Sequence, residues 1–154
     1  MSTPRFALAA ARFRAAAIVL VLTASFGILG TQSPAEAATF GSRVIVEASH
    51  HKGAPYSYGA AGPTRFDCSG FTRYVFSRFG RNLPHNAAQQ YSVVHHISKA
   101  NKQPGDLLFF RNSSGRISHV AIYAGNGNMW HAPHSGTVVK LVKIYSSNYL
   151  VGRA

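Results

Sequence analysis

Asp67-Cys68-Ser69-Gly70-Phe71 is the stretch on which the reading of this 154-residue chain turns. It carries the chain's one cysteine, and it joins an irregular Gly/Pro-rich segment to a helical pattern. After Cys68, Phe71, Thr72, Val75 and Phe79 fall at i+3, i+4, i+7 and i+11, which is one face of an α-helix. Asp67 is a good N-cap residue and Gly80 a good stop. Cys68 is therefore expected in the first turn of a helix. There the positive end of the helix dipole and unpaired N–H groups should lower a thiol's pKa, and a free N–H could hold an oxyanion.

Upstream, residues 52–66 are broken by Gly53, Pro55, Gly59, Gly62 and Pro63 and read as a loop. Tyr56 and Tyr58 stand in it, able to cover the core edge or to line a cleft. Before the loop, Val44, Ile45 and Ala48 mark an opening helix over residues 40–51. His50 and His51 at its end are expected on the surface. Further back, Arg5, Arg12 and Arg14 precede an apolar run from Ala15 to Leu29, followed by small residues at Ala35 and Ala37. That is the pattern of a secretory signal peptide over residues 1–37, cleaved after Ala37 or nearby. The alternative, an uncleaved anchor, is disfavoured because the run is short for a span. One domain, residues 38–154, is expected to remain, in the extracellular or periplasmic space.

The chain has sixteen Lys and Arg against four Asp and Glu, a formal charge of +12. Only three of the basic residues lie in the leader, so the remainder stays strongly basic. Such a surface suits anionic cell-wall polymers, acidic peptides or anionic lipid. Without a long basic run or an Arg-rich helix, nucleic acid is not expected as a partner. A single cysteine in an exported chain cannot close an internal disulfide; it is inert, paired with another chain, or reactive. Its place at a helix start favours reactive.

Downstream, Leu83-Pro84-His85-Asn86 reads as a loop with His85 exposed, leading into a short helix over residues 87–91. Gln103-Pro104-Gly105-Asp106 is a turn launching the apolar strand Leu107-Leu108-Phe109-Phe110. After the loop Asn112-Ser113-Ser114-Gly115, residues 117–124 form a strand with His119 opposite in phase to Val120 and Ile122. Asn126-Gly127 signals a tight hairpin into a third strand over residues 129–132, which carries His131. Residues 138–144 and 149–153 are further strand candidates. The order, helices first and then mainly antiparallel strands, is α+β. Strands joined by a hairpin lie about 4.8 Å apart, so His119 and His131 can meet. One could be a base for Cys68 and the other could orient it. His95 and His96 are adjacent and point apart on any regular element. With few carboxylates and no paired cysteines or H-E-x-x-H, neither a metal site nor a cofactor is expected.

In this order, Pro55-Tyr56-x-Tyr58-Gly59, Phe66-Asp67-Cys68-Ser69-Gly70-Phe71, Leu83-Pro84, Gln103-Pro104-Gly105-Asp106-Leu107, Ile117-Ser118-His119-Val120-Ala121-Ile122-Tyr123 and His131-Ala132-Pro133 resemble the NlpC/P60 family of cell-wall cysteine peptidases. The resemblance runs from about Phe40 to the C-terminus and departs at Ala60, where many relatives carry glycine. It implies a papain-like fold with N-terminal helices packed on the sheet. It also implies Cys68 as nucleophile, His119 as general base and His131 as the third, orienting residue. Tyr56 would assist near the oxyanion, Ser69 and Tyr58 would line the oxyanion and substrate site, and Asp67 would cap the nucleophile helix. The implied reaction is hydrolysis of peptidoglycan stem peptides by a monomer without cofactor. For many relatives the bond lies between γ-D-glutamate and a diamino acid, usually meso-diaminopimelate. An N-acetylmuramoyl-L-alanine amidase, an acyltransferase or a non-catalytic wall-binding module on the same scaffold are the alternatives.

Overall fold

The structure is a computed structural model that describes residues 34–154; residues 1–33 of the leader expected over residues 1–37 lie outside them. Helix α1, Pro34–His50, begins earlier than the expected Phe40. Proline suits a first helical position, where its fixed φ fits and no N–H is needed. Val44 and Ala48 are fully buried, as their spacing requires. His50 is exposed, but His51 corrects the sequence expectation. Its ring packs edge-on against Phe66 and Tyr74, centroids 5.1 and 5.0 Å away, and its Nε2 lies 3.4 Å from Glu47. The end of α1 abuts the loop, and the aromatic wall there shields the ring from water.

Helix α2, Cys68–Ser77, starts where its cap dictates. The Gly70 N–H donates to Asp67 at 2.7 Å, satisfying one of the first turn's orphan donors. The helix stops two residues short of Phe79. Gly80 takes φ 74°, and the Arg81 N–H returns to the Phe76 carbonyl at 3.1 Å, closing the last turn. Gly70 is required for a different reason: a Cβ there would overlap the Ala60 carbonyl oxygen of the preceding loop. Helix α3, Ala87–Val93, is capped by Asn86, whose side chain accepts from the Gln89 N–H at 3.1 Å.

Six strands follow: β1 His95–Ile97, β2 Leu107–Arg111, β3 Ile117–Gly125, β4 Asn128–His131, β5 Lys140–Lys143 and β6 Tyr149–Arg153. They form one sheet in the order β1-β6-β2-β3-β4-β5, antiparallel throughout. Strand β1 was not legible in the sequence. His-His-Ile has no apolar alternation, and the strand exists because it pairs with β6, His96 opposite Gly152. Asn126 at φ 51° and Gly127 at φ 73° make the tight β3–β4 turn.

Alternation sorts the core into two faces. Leu107, Phe109, Val120, Ile122 and Trp130 join the helical residues Val44, Phe71, Val75 and Phe76. Leu108, Phe110, Ala121, Met129, Tyr149 and Val151 form a second cluster. Each fully buried phenylalanine contributes roughly 2–3 kcal/mol by the area it removes from water. Asp106 is buried and tied to Arg153 through two contacts of 2.7 and 2.9 Å, which pins β6 to the start of β2.

One feature of the sheet positions the site. β3 has nine residues and β4 only four. Because Ile122 stands opposite Trp130, β4 runs out at His131, and the start of β3 overhangs it. The first turn of α2 comes against that overhang.

Candidate active site

Cys68 is half-buried at the first position of α2. The backbone N–H groups of Val120, Ser69 and Cys68 itself act on its sulfur and pull the thiol pKa down. The Val120 amide belongs to the overhanging part of β3 and follows His119 directly, so the thiol lies against the His119–Val120 peptide. These amides favour the thiolate, but burial outweighs them, and the Asp67 charge adds to it. The thiol pKa is raised. This corrects the expectation of a thiol activated by the helix end alone. The backbone N–H groups pull the pKa down, but loss of water around the sulfur is larger.

His119 and His131 meet. His119 Nε2 lies 3.0 Å from His131 Nδ1, with ring planes 77° apart. The register places the two residues diagonally across β3 and β4, a separation that long side chains bridge. Burial lowers His119 to about 4. Burial also lowers His131 to about 4, helped by the positive charges of His119, Lys140 and His134. Both rings are therefore neutral near pH 7. His131 is 3% exposed, and its buried Nε2 has no hydrogen-bond partner among the described residues.

If His131 donated through Nδ1–H, His119 would carry its proton on Nδ1 and have no lone pair free. Only the arrangement in which His119 Nε2–H donates to His131 leaves His119 Nδ1 as a base. Resting thiol and resting base are then both uncharged, and the proton leaves sulfur as sulfur attacks.

A cavity of about 410 Å³ opens on Cys68, lined among others by Tyr56, Tyr58, Asp67, Ser69 and His85. The Tyr56 N–H donates to the Thr137 carbonyl at 2.8 Å, and the Ser57 N–H donates to the Phe66 carbonyl at 2.9 Å, which fixes the loop over the nucleophile. Burial and the nearby Cys68 charge raise the Tyr56 pKa, keeping its hydroxyl a donor. Tyr58 stands at the mouth, 89% exposed. The Ser69 hydroxyl donates to Asp67 at 3.2 Å, so what Ser69 offers the sulfur is its backbone N–H.

Asp67 does more than cap. It accepts from the Gly59 N–H at 2.8 Å as well as from Gly70 and Ser69, and so ties the loop to the helix. His85, expected to be exposed, instead places Nε2 2.9 Å from both Asp67 oxygens. No local sequence signal marks this, because the contact crosses from the α2–α3 loop. Gln90 was also missed, although its place on the apolar face of α3 was a hint. It is fully buried, donates to the Ser69 and Pro84 carbonyls at 2.8 Å each, and accepts from Thr72 at 2.7 Å. It braces the first turn of α2 from behind.

The profile of the NlpC/P60 family matches residues 53–152, the span that holds all of these side chains. The chain belongs to the NlpC/P60 family. It is 49% identical over 112 residues to a Listeria monocytogenes protein named as probable endopeptidase p60, covering 71% of this chain and 22% of that protein. It is 40% identical over 100 residues to a Bacillus subtilis protein named bifunctional muramidase/DL-endopeptidase CwlT, covering 63% of this chain and 30% of that one. The chain thus spans less than a third of the length of these relatives. Among solved structures, the NlpC/P60 domain of the peptidoglycan hydrolase SagA superposes with a TM-score of 0.67 at 37% identity, covering 74% of this chain and 98% of that one. The α+β fold expected from the sequence is the one observed.

Proposed function

We propose that this NlpC/P60 chain is a cysteine endopeptidase that hydrolyses peptidoglycan stem peptides at the bond between γ-D-glutamate and the diamino acid. The observation that carries the proposal is Cys68 at the first position of α2, acted on by the Val120 amide beside His119, with His119 Nε2 held 3.0 Å from His131 Nδ1. Relatives named DL-endopeptidase and peptidoglycan hydrolase support the substrate class. The signal pattern and the basic surface support export to an anionic wall, where it acts as a monomer.

In the proposed mechanism His119 Nδ1 takes the Cys68 proton as sulfur attacks the carbonyl carbon. The imidazolium that forms is steadied through its Nε2–H by the neutral His131. Backbone N–H groups at the start of α2, with the Tyr56 hydroxyl, receive the developing oxyanion. His119 then protonates the leaving amine. Water, activated by the same imidazole, hydrolyses the thioester and frees Cys68.

Digestion of purified peptidoglycan followed by mass analysis tests this. The expected products end in γ-D-glutamate on one side and begin with the diamino acid on the other. Fragments cut only between muramic acid and L-alanine would replace the endopeptidase reading with an amidase.

A further inference from the structure

Two cavities meet at Ser118, which lines both. The one already described holds Cys68 and Tyr56. The other, of about 510 Å³, holds His119 and His131 together with His134, Lys140 and Lys143. Given the proposed reaction, on which this inference rests, chemistry fixes which end is which. The acyl part must sit with the nucleophile and the oxyanion donors, and the departing nitrogen must reach His119. The second cavity therefore receives the leaving group.

We infer that Lys140, Lys143 and His134 form a leaving-group subsite that selects a diamino acid carrying a free carboxylate. Charge bookkeeping supports an anionic occupant. Among the side chains described, Glu47 is engaged by His50, His51 and Arg78, Asp67 by His85, and Asp106 by Arg153. None is left to pair with Lys140 or Lys143, and no ion pair involves either lysine among the described residues. Lys140 is only partly exposed on β5, in the strand pair that sets it opposite His131.

The lysine charge also opposes the chemistry while the subsite is empty. Lys140 acts on His131 by positive charge, which disfavours a further positive charge on the histidine pair. A carboxylate between it and the pair offsets that opposition when substrate arrives. Lysine as the diamino residue, or a diaminopimelate amidated at that position, offers no such charge.

The test uses two purified muropeptides identical except that the diaminopimelate side-chain carboxylate is free in one and a carboxamide in the other. The chain itself should cleave the free acid with a kcat/KM about tenfold higher or more, as one charge-assisted contact allows. Lys140→Ala, and Lys140→Ala with Lys143→Ala, should bring that ratio to about 1–2. Arg73→Ala, which removes an exposed charge on α2, should keep the original ratio. Because each ratio is internal to one protein, partial misfolding of a variant cancels. A ratio near 1 in the unmodified chain, or an unchanged ratio in the lysine variants, overturns the subsite alone. Failure to cut either peptide at the γ-glutamyl bond overturns the proposed function and the subsite with it.

Discussion

Acidification should draw stability out of this domain through His119 and His131. Both have folded-state pKa values of about 4, against an ordinary 6.5. Between those values the unfolded chain binds protons that the fold refuses. The stability these rings contribute is present above about pH 6.5 and is lost as the pH falls towards 4. A shift of about 2.5 units corresponds to roughly 3 kcal/mol for each ring. The two do not simply add, since the value for His131 already includes the charge on His119. The pair should therefore cost about 3–6 kcal/mol, a large part of the 5–15 kcal/mol that holds a typical domain. Urea unfolding at several values from about pH 7 to pH 4.5 reads this directly. The chain should lose on the order of 1–2 kcal/mol per pH unit across the window. A His119→Gln/His131→Asn variant should lose at most half as much per unit. Other titrating groups are common to both proteins and cancel in the difference. Equal slopes would refute the reasoning, because they would mean the rings are not held neutral by burial.

Two further outcomes follow from the site. His119→Ala should abolish hydrolysis, whereas His131→Asn, which keeps an acceptor for His119 Nε2–H, should cost about tenfold and His131→Ala about a hundredfold in kcat. Equal losses for all three in steady-state assays would mean that the roles of base and orienting residue are misassigned. His85→Ala should lower stability to urea by about 1–2 kcal/mol by removing the side-chain partner 2.9 Å from both Asp67 oxygens, and His85→Gln should recover most of it. Stability unchanged in His85→Ala would show that the backbone donors alone satisfy Asp67.

Helix α2 was legible in the sequence because everything that makes it is local: the Asp67 cap, the apolar face and the Gly80 stop. The β3–β4 hairpin was legible for the same reason, since Asn126-Gly127 fixes the turn and the turn brings His119 towards His131. Strand β1 was not, because its partner β6 lies some fifty residues away and supplies the order that His-His-Ile lacks. His85 and His51 were misjudged on one ground: each is partly covered by a segment distant in the chain, Asp67 for one and the Phe66–Tyr74 wall for the other. The direction of the Cys68 pKa shift was misread because a sequence displays the helix end but not the packing around the sulfur. The unequal lengths of β3 and β4, which open the Val120 amide to the thiol, emerge only once the sheet register is known.

The most direct measurement is the mass of the intact protein caught during turnover. A defined disaccharide-tripeptide would be mixed with the chain and quenched in acid within the first turnovers. The expected result is an adduct equal in mass to the acyl part ending in γ-D-glutamate, located on Cys68 by peptide mapping and absent in Cys68→Ala. Rapid product formation by Cys68→Ala, or an adduct on another residue, would contradict Cys68 as the nucleophile of this site.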